Sequence, residues 1–201
     1  METYIIKIVD DGYDQSDVPT LEIKNVFKGE SHGIKAYAKI VAAKDAFIVN
    51  MWTIEPETVA ESSGLYAYPS DDSCLEFFFF PMENGERYIN VEFNSVGCFF
   101  FGFGTGNSEL MRVVPLREKN WFDYKIDVRD DGWEITYKIP YELIRRIFPN
   151  FEVHDGKKIR ANCYKCSMRG NYPHLLTWNE CTDNTNSFHN PKIFGEMIFK
   201  K

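Results

Sequence analysis

Apolar and polar residues alternate in short runs along the whole chain, and clusters of Asp, Asn, Gly and Pro part the runs. Side chains on a strand point to alternate faces, so a period of two predicts strands rather than helices. The runs place strands at 21–27, 34–42, 46–54, 74–80, 88–94, 97–103, 111–115, 121–128, 132–139, 158–168, 175–178 and 195–200. About a dozen strands with turn signals at this spacing describe an all-β antiparallel β-sandwich of jelly-roll or immunoglobulin-like kind. Asp130-Asp-Gly132 carries hairpin chemistry, so 121–139 reads as a β-hairpin. One short helix is expected in Pro140-Tyr-Glu-Leu-Ile-Arg-Arg-Ile-Phe148, which opens on a first-turn proline, spaces its apolar groups helically and stops before Pro149. It should plug one end of the sandwich. A length of 201 residues suits one domain, 1–201, around a single core, with 1–32 as an N-terminal extension packing on it. The chain has no internal repeat, and its one long polar loop is 179–187.

The content of the alternating faces points to chemistry. Ile89, Val91 and Phe93 face one way, while Tyr88, Asn90, Glu92 and Asn94 face the other, about 7 Å apart along the strand. Arg160, Asn162 and Tyr164 repeat the theme against Ile159, Ala161 and Cys163. A sugar needs this mixture, because its hydroxyls ask for hydrogen-bonding groups and its C–H faces for aromatic planes. A solvated outer face would show the same pattern. Asn50 and Trp52 share one face of 46–54 and extend the candidate surface, although a strand tryptophan in a sandwich often belongs to the core.

Charge and motifs then remove classes of function. With 30 acids against 23 bases and a net charge of −7, the chain lacks the positive field that holds a phosphate backbone, so no nucleic acid partner is expected. No apolar run approaches the roughly 20 residues that span a bilayer, so no membrane partner is expected either. Met1-Glu-Thr-Tyr-Ile-Ile-Lys7 does not resemble a signal peptide, which suggests a cytoplasmic chain, or a secreted one whose leader was removed. Gly102-Phe-Gly-Thr-Gly106 has only the glycine content of a phosphate loop and reads as a strand-end turn. Neither HExxH nor GxSxG occurs. Four of the five cysteines, Cys74, Cys98, Cys163 and Cys166, fall in expected strands as small buried thiols. A zinc site on Cys163 and Cys166, completed by Cys181 and His174 or His189, fails because strand residues three apart face opposite ways. Asp71-Asp72 and Asp130-Asp131 are turn carboxylates that could hold calcium as a structural ion.

Three segments, in order, carry a resemblance. Asp72-Ser-Cys-Leu-Glu-Phe77, Tyr88-Ile-Asn-Val-Glu-Phe-Asn94, and Thr177-Trp178 with Phe188-His-Asn-Pro-Lys-Ile-Phe-Gly-Glu-Met-Ile-Phe199 together resemble the family 9 carbohydrate-binding modules and their DOMON-like relatives, over roughly residues 33 to 199. The resemblance implies a sandwich whose concave end binds a sugar between two clamping tryptophans, without catalysis. Glu76 matches the family's sugar-binding glutamate, Phe188 stands where the second tryptophan does, and Tyr68 is the aromatic nearest the first. A binding arginine of the xylanase modules aligns near Asn90, so Arg112 or Arg160 would have to supply the cation. His189 adjoins the clamp, and Trp178 matches a structural position.

The leading expectation is a protein that binds a mono- or oligosaccharide without catalysis, using Tyr68, Glu76, Tyr88, Asn90, Glu92, Arg112, Arg160, Asn162, Tyr164, Phe188 and His189, with no cofactor. Two alternatives remain. One is a glycan hydrolase or lyase with Glu76 or Glu92 as acid or base beside Tyr88 or His189. The other is a DOMON-type haem domain using Met51 or Met168 with His174 or His189.

Overall fold

The structure, a computed structural model, describes residues 1–114, 120–181 and 187–201. Pro115, at the end of one expected strand, and 182–186 of the expected polar loop lie outside the described residues. The strands are β1 (Thr3–Ile8), β2 (Leu21–Ile23), β3 (Asn25–Gly29), β4 (Lys35–Ala42), β5 (Ala46–Ile54), β6 (Cys74–Phe79), β7 (Tyr88–Asn94), β8 (Phe99–Gly104), β9 (Met111–Arg112), β10 (Lys125–Arg129), β11 (Gly132–Pro140), β12 (Lys158–Ser167), β13 (His174–Thr177) and β14 (Gly195–Lys200). The helix α1 (Tyr141–Ile147) follows Pro140 and buries Tyr141, Leu143 and Ile144. Tyr141 stacks edge-on against Phe47, which ties the helix to β5.

The strands form one curled sheet in the order β10-β11-β5-β4-β1-β14-β12-β6-β7-β8-β9, with β2 beside β4, and β13 joining β12 to β3. Pairing is antiparallel except at β1, which runs parallel to both β14 and β4. The sheet folds back at this seam. Phe47 of β5 meets Phe79 of β6 at 5.5 Å and Phe199 of β14 at 5.8 Å, and Phe93 of β7 meets Tyr137 of β11 at 4.9 Å. The two halves therefore face each other around a core that includes Val49, Met51, Phe77, Val91, Phe101 and Ile135. Residues 1–32 do not simply lie on this sandwich, since they contribute β1, β2 and β3 to its sheet.

The hairpin forms with the two-residue turn Asp130-Asp131, but its first strand starts at Lys125 rather than at Trp121. Gly132 is required there, because a Cβ would lie 2.0 Å from the Thr53 carbonyl of β5. Gly102 and Gly104 lie within β8 instead of in a turn. A side chain at Gly102 would strike Phe100 and the Asn90 amide, so this glycine keeps the opposite face of the sheet open. Among the described residues no helix is long and apolar enough to cross a membrane.

Candidate functional site

Residues paired across adjacent antiparallel strands project to one face. The registers of β8, β7, β6 and β12 place Phe100, Glu92, Glu76 and Tyr164 in one row away from the main core. Gly102, Asn90, Phe78 and Asn162 form the next row, with Arg112 of β9 at its end. On the other side, Asn94, Cys74 and Cys166 form a third. The polar-aromatic face expected from the alternation therefore exists, but every residue of β7 is buried. A second, smaller apolar cluster covers part of it, where Phe188, Ile193 and Phe194 descend onto Phe78, Phe80, Tyr88 and Tyr164. Beside that lid remains a cleft of about 210 Å³, lined by Glu76, Glu92, Cys166, Met168, Phe188 and His189 among others.

Electrostatics in the cleft follow from burial. Glu76 is pushed well above the usual carboxylate range, chiefly by desolvation and then by Cys166, whose thiol donates to Oε1 at 3.1 Å. Glu92 is raised by desolvation and by Glu76 opposite it, while the Asn90 amide, donating at 2.6 Å, and Arg112 pull the other way. Two carboxyls in one dry row cannot both ionise readily. Burial also lowers His189 to about 4, so its ring is neutral. The Tyr88 hydroxyl, raised by burial, stays protonated and shares a hydrogen bond of 2.7 Å with His189 Nδ1, in which the ring's tautomer sets which of the two donates. That bond fixes the orientation of a neutral imidazole beside the two carboxyls.

The Asp-Ser-x-x-Glu segment divides its labour. Asp72 Oδ2 accepts from the Glu61 and Ser62 amides and from Asn94, while Oδ1 accepts from Arg169. Those bonds hold the loop before β6 against β7. They also leave little of this carboxylate for the calcium ion considered at Asp71-Asp72. Ser73 turns into the core, donating to Glu55 Oε1 and accepting from Trp133 Nε1 at 2.8 Å and from Lys165 Nζ at 3.0 Å. Lys165 and Glu55 form an ion pair at 2.8 Å with side chains 0% and 1% exposed. Only Glu76 of this motif reaches the cleft.

The expected site residues thus separate by position. Glu76, Glu92, Phe188 and His189 line the cleft. Tyr88 and Asn90 lie beneath it and orient His189 and Glu92. Tyr68 is 59% exposed and stacks on Phe100, with the Arg112 guanidinium over both rings. That guanidinium donates to the Tyr66, Ala67 and Phe99 carbonyls, so it braces the Tyr68 wall. Phe188 has one ring face on Tyr164 at 4.2 Å and is 7% exposed, so it offers a ligand an edge, not a free plane. Tyr164 is fully buried and its hydroxyl donates to the Phe188 carbonyl. Asn162 makes four internal hydrogen bonds, to the Asn179 and Ile193 carbonyls and from the Cys163 and Asn179 amides, which saturates the side chain. It anchors the lid. Arg160 lies outside the cleft lining, exposed and stacked 4.0 Å above Phe80.

Asn50 and Trp52 lie on β5 in the other half of the sheet, where Asn50 donates to Glu134 and Trp52 stacks on Tyr37. They are not part of this cleft. Of the residues considered for haem, Met51 is in the core and His174 is buried in β13, while Met168 and His189 line the cleft. Cys166, Met168 and Phe100 were absent from the expected site. Period two along β12 already puts Cys166 and Met168 on the side of Tyr164, so that signal was present. Phe100 needed the β7–β8 register.

A family model described as carbohydrate-binding family 9 matches residues 8–199. No curated protein matches the chain. Among solved structures, a Bacteroides uniformis protein named as a candidate carbohydrate-binding protein superposes with a TM-score of 0.81 at 22% identity, covering 99% of each chain. A family 9 carbohydrate-binding module from Caldicellulosiruptor kristjanssonii, solved with cellotriose, superposes with a TM-score of 0.65 at 14% identity, covering 99% of this chain and 94% of that one. The same module was solved with glucose. At these identities the likeness shows the fold.

Proposed function

Because the chain belongs to carbohydrate-binding family 9, we propose that the cleft holds a mono- or oligosaccharide without changing it chemically. The observation that carries this reading is the meeting of Glu76, Glu92 and a neutral His189 in one opening, with the exposed Tyr68 ring stacked on Phe100, the residue that pairs with Glu92. A pyranose that reaches from Tyr68 into the opening would present hydroxyls to two carboxyls and to the His189 imidazole. The exposed Met168 would supply an apolar wall where Phe188 cannot act as a free second clamp. The relative's bound glucose and cellotriose support testing β-linked glucose oligomers first.

Isothermal titration with glucose, cellotriose and a panel of other oligosaccharides is expected to give binding at millimolar concentration or below. Glu76→Ala should weaken it about tenfold or more, the effect of losing a buried hydrogen-bond partner. Tyr68→Ala should weaken it by about 3- to 10-fold through lost stacking. Absence of any heat across the panel, or unchanged affinity in both variants, would remove the reading. The hydrolase alternative has one specific support, two carboxyls with raised pKa values facing each other on neighbouring strands. Appearance of shorter products from labelled oligosaccharides, abolished by Glu92→Gln, would select it instead.

A further inference from the structure

We propose that Cys74, Cys166 and Glu76 form a binding site for a thiophilic divalent metal ion of the zinc class, with Glu76 and Cys166 lining the cleft and Cys74 buried beside them. The sequence spacing alone excludes a Cys163–Cys166 chelate, since these residues face opposite sides of β12. The tertiary pairing supplies a different partner. Cys74 stands directly opposite Cys166 in the β6–β12 register, and Glu76 is two residues along the same face of β6. Both sulfurs and a carboxylate oxygen lie within 4.8 Å of one another, and all three residues are buried. Ligand atoms around a tetrahedral zinc ion, with bonds of about 2.3 Å to sulfur and 2.1 Å to oxygen, lie roughly 3.5–4 Å apart. A small inward movement would therefore complete the chelate.

The local chemistry favours a soft dication over the alternatives. Two thiols and one carboxyl do not offer the six to eight oxygens that calcium takes, whereas they match the ligands of zinc. The Cys166 thiol spends its proton on Glu76, and the nearest further acid is Glu92, opposite Glu76 on β7. Among the described residues the one cation acting on Glu76 is Lys165, whose ammonium is held on the opposite face of β12 by Glu55 and Ser73. On uptake two metal–sulfur bonds and one metal–oxygen bond form, and the displaced protons pass to solvent, so binding should strengthen as pH rises. Three protein ligands leave a fourth position. Glu76 and Cys166 both line the cleft, so water or a ligand hydroxyl could take that position.

The test uses the full chain, reduced and stripped of metal by a chelator, then titrated with Cd²⁺ and Co²⁺. The expected result is one ion per chain, with an ultraviolet sulfur-to-cadmium charge-transfer band and a tetrahedral cobalt spectrum. Cys166→Ser and Cys74→Ser should each weaken uptake by more than about 100-fold, beyond what loss of a supporting partner usually brings. Cys181→Ser should leave uptake unchanged. If a cysteine variant fails to fold, Glu76→Gln is read instead, with a weakened affinity and the charge-transfer band retained. Absence of uptake by the reduced wild type, equal uptake in Cys166→Ser, or loss in Cys181→Ser overturns the proposal. Sugar titration of the metal-free protein judges the saccharide reading separately, so either can fail alone.

Discussion

Lys165→Met is expected to lower unfolding stability by about 3–5 kcal/mol, the usual result of removing one partner from a buried ion pair. Lys165 projects from β12 into the core, opposite in direction to Tyr164 and Cys166, and its ammonium contacts Glu55, the Ser73 hydroxyl and the Cys166 carbonyl. Without it, Glu55 keeps the Ser73 and Thr58 hydroxyls but loses its only close cation among the described residues. Lys165→Met with Glu55→Gln removes both charges and should recover most of the loss, since a buried pair roughly breaks even against neutral groups of similar volume. Urea unfolding with an unchanged slope would read both effects. A single-variant loss below about 1 kcal/mol, or a double variant no better than the single, would show that the pair does not anchor the fold as described.

The second large effect is a loss of stability with acid traceable to His174. Burial, reinforced by the charge of Lys165, lowers this imidazole from 6.5 to about 4, while its hydrogen bond to the Tyr172 carbonyl and the charge of Glu55 oppose the shift. The folded state therefore resists a proton that the unfolded chain accepts. Stability from this group is complete above pH 6.5 and is lost as pH falls towards 4, by a total on the order of 3 kcal/mol. Glu76 and Glu92 act in the opposite sense, because raised carboxyls add stability as pH falls towards 4.5. The informative quantity is thus the stability of the wild type minus that of His174→Asn. It should fall by about that amount between pH 7 and pH 4. A flat difference, or an imidazole resonance that titrates near 6.5, would refute the assignment. In Lys165→Met with Glu55→Gln the imidazole should titrate higher, since the Lys165 charge that lowers it outweighs the Glu55 charge that raises it.

Most strands were legible because period two survives in any sandwich that has a buried inner face. The expected segments at 46–54, 88–94 and 195–200 coincide with β5, β7 and β14, and the helix starts one residue after its proline. β1 was missed for a physical reason. It is six residues long, and its partners β14 and β4 run parallel to it from distant parts of the chain, so no hairpin turn announces it. Segment 121–124 looked like strand because Trp121 and Phe122 are apolar, yet among the described residues it forms no ladder: Phe122 takes one bond, from the Lys138 amide, and is buried as a plug over the rings of Phe93, Phe99 and Phe101.

Local pattern determined that this chain makes a sandwich and that Glu92 shares a face with Tyr88, Asn90 and Asn94, because these depend only on residue spacing within strands, while the resemblance of three ordered segments pointed to Glu76 and Phe188. The tertiary structure alone decided which of those groups meet a ligand. Registers between strands set Cys74 against Cys166 and Phe100 beside Glu92, and the packing of 187–194 buried Tyr164 and the Phe188 ring plane while leaving Tyr68 outside. Whether a polar side chain on an alternating strand faces water, a neighbour or a cleft depends on what the rest of the chain lays over it. That covering is a long-range contact, and no period within one strand encodes it.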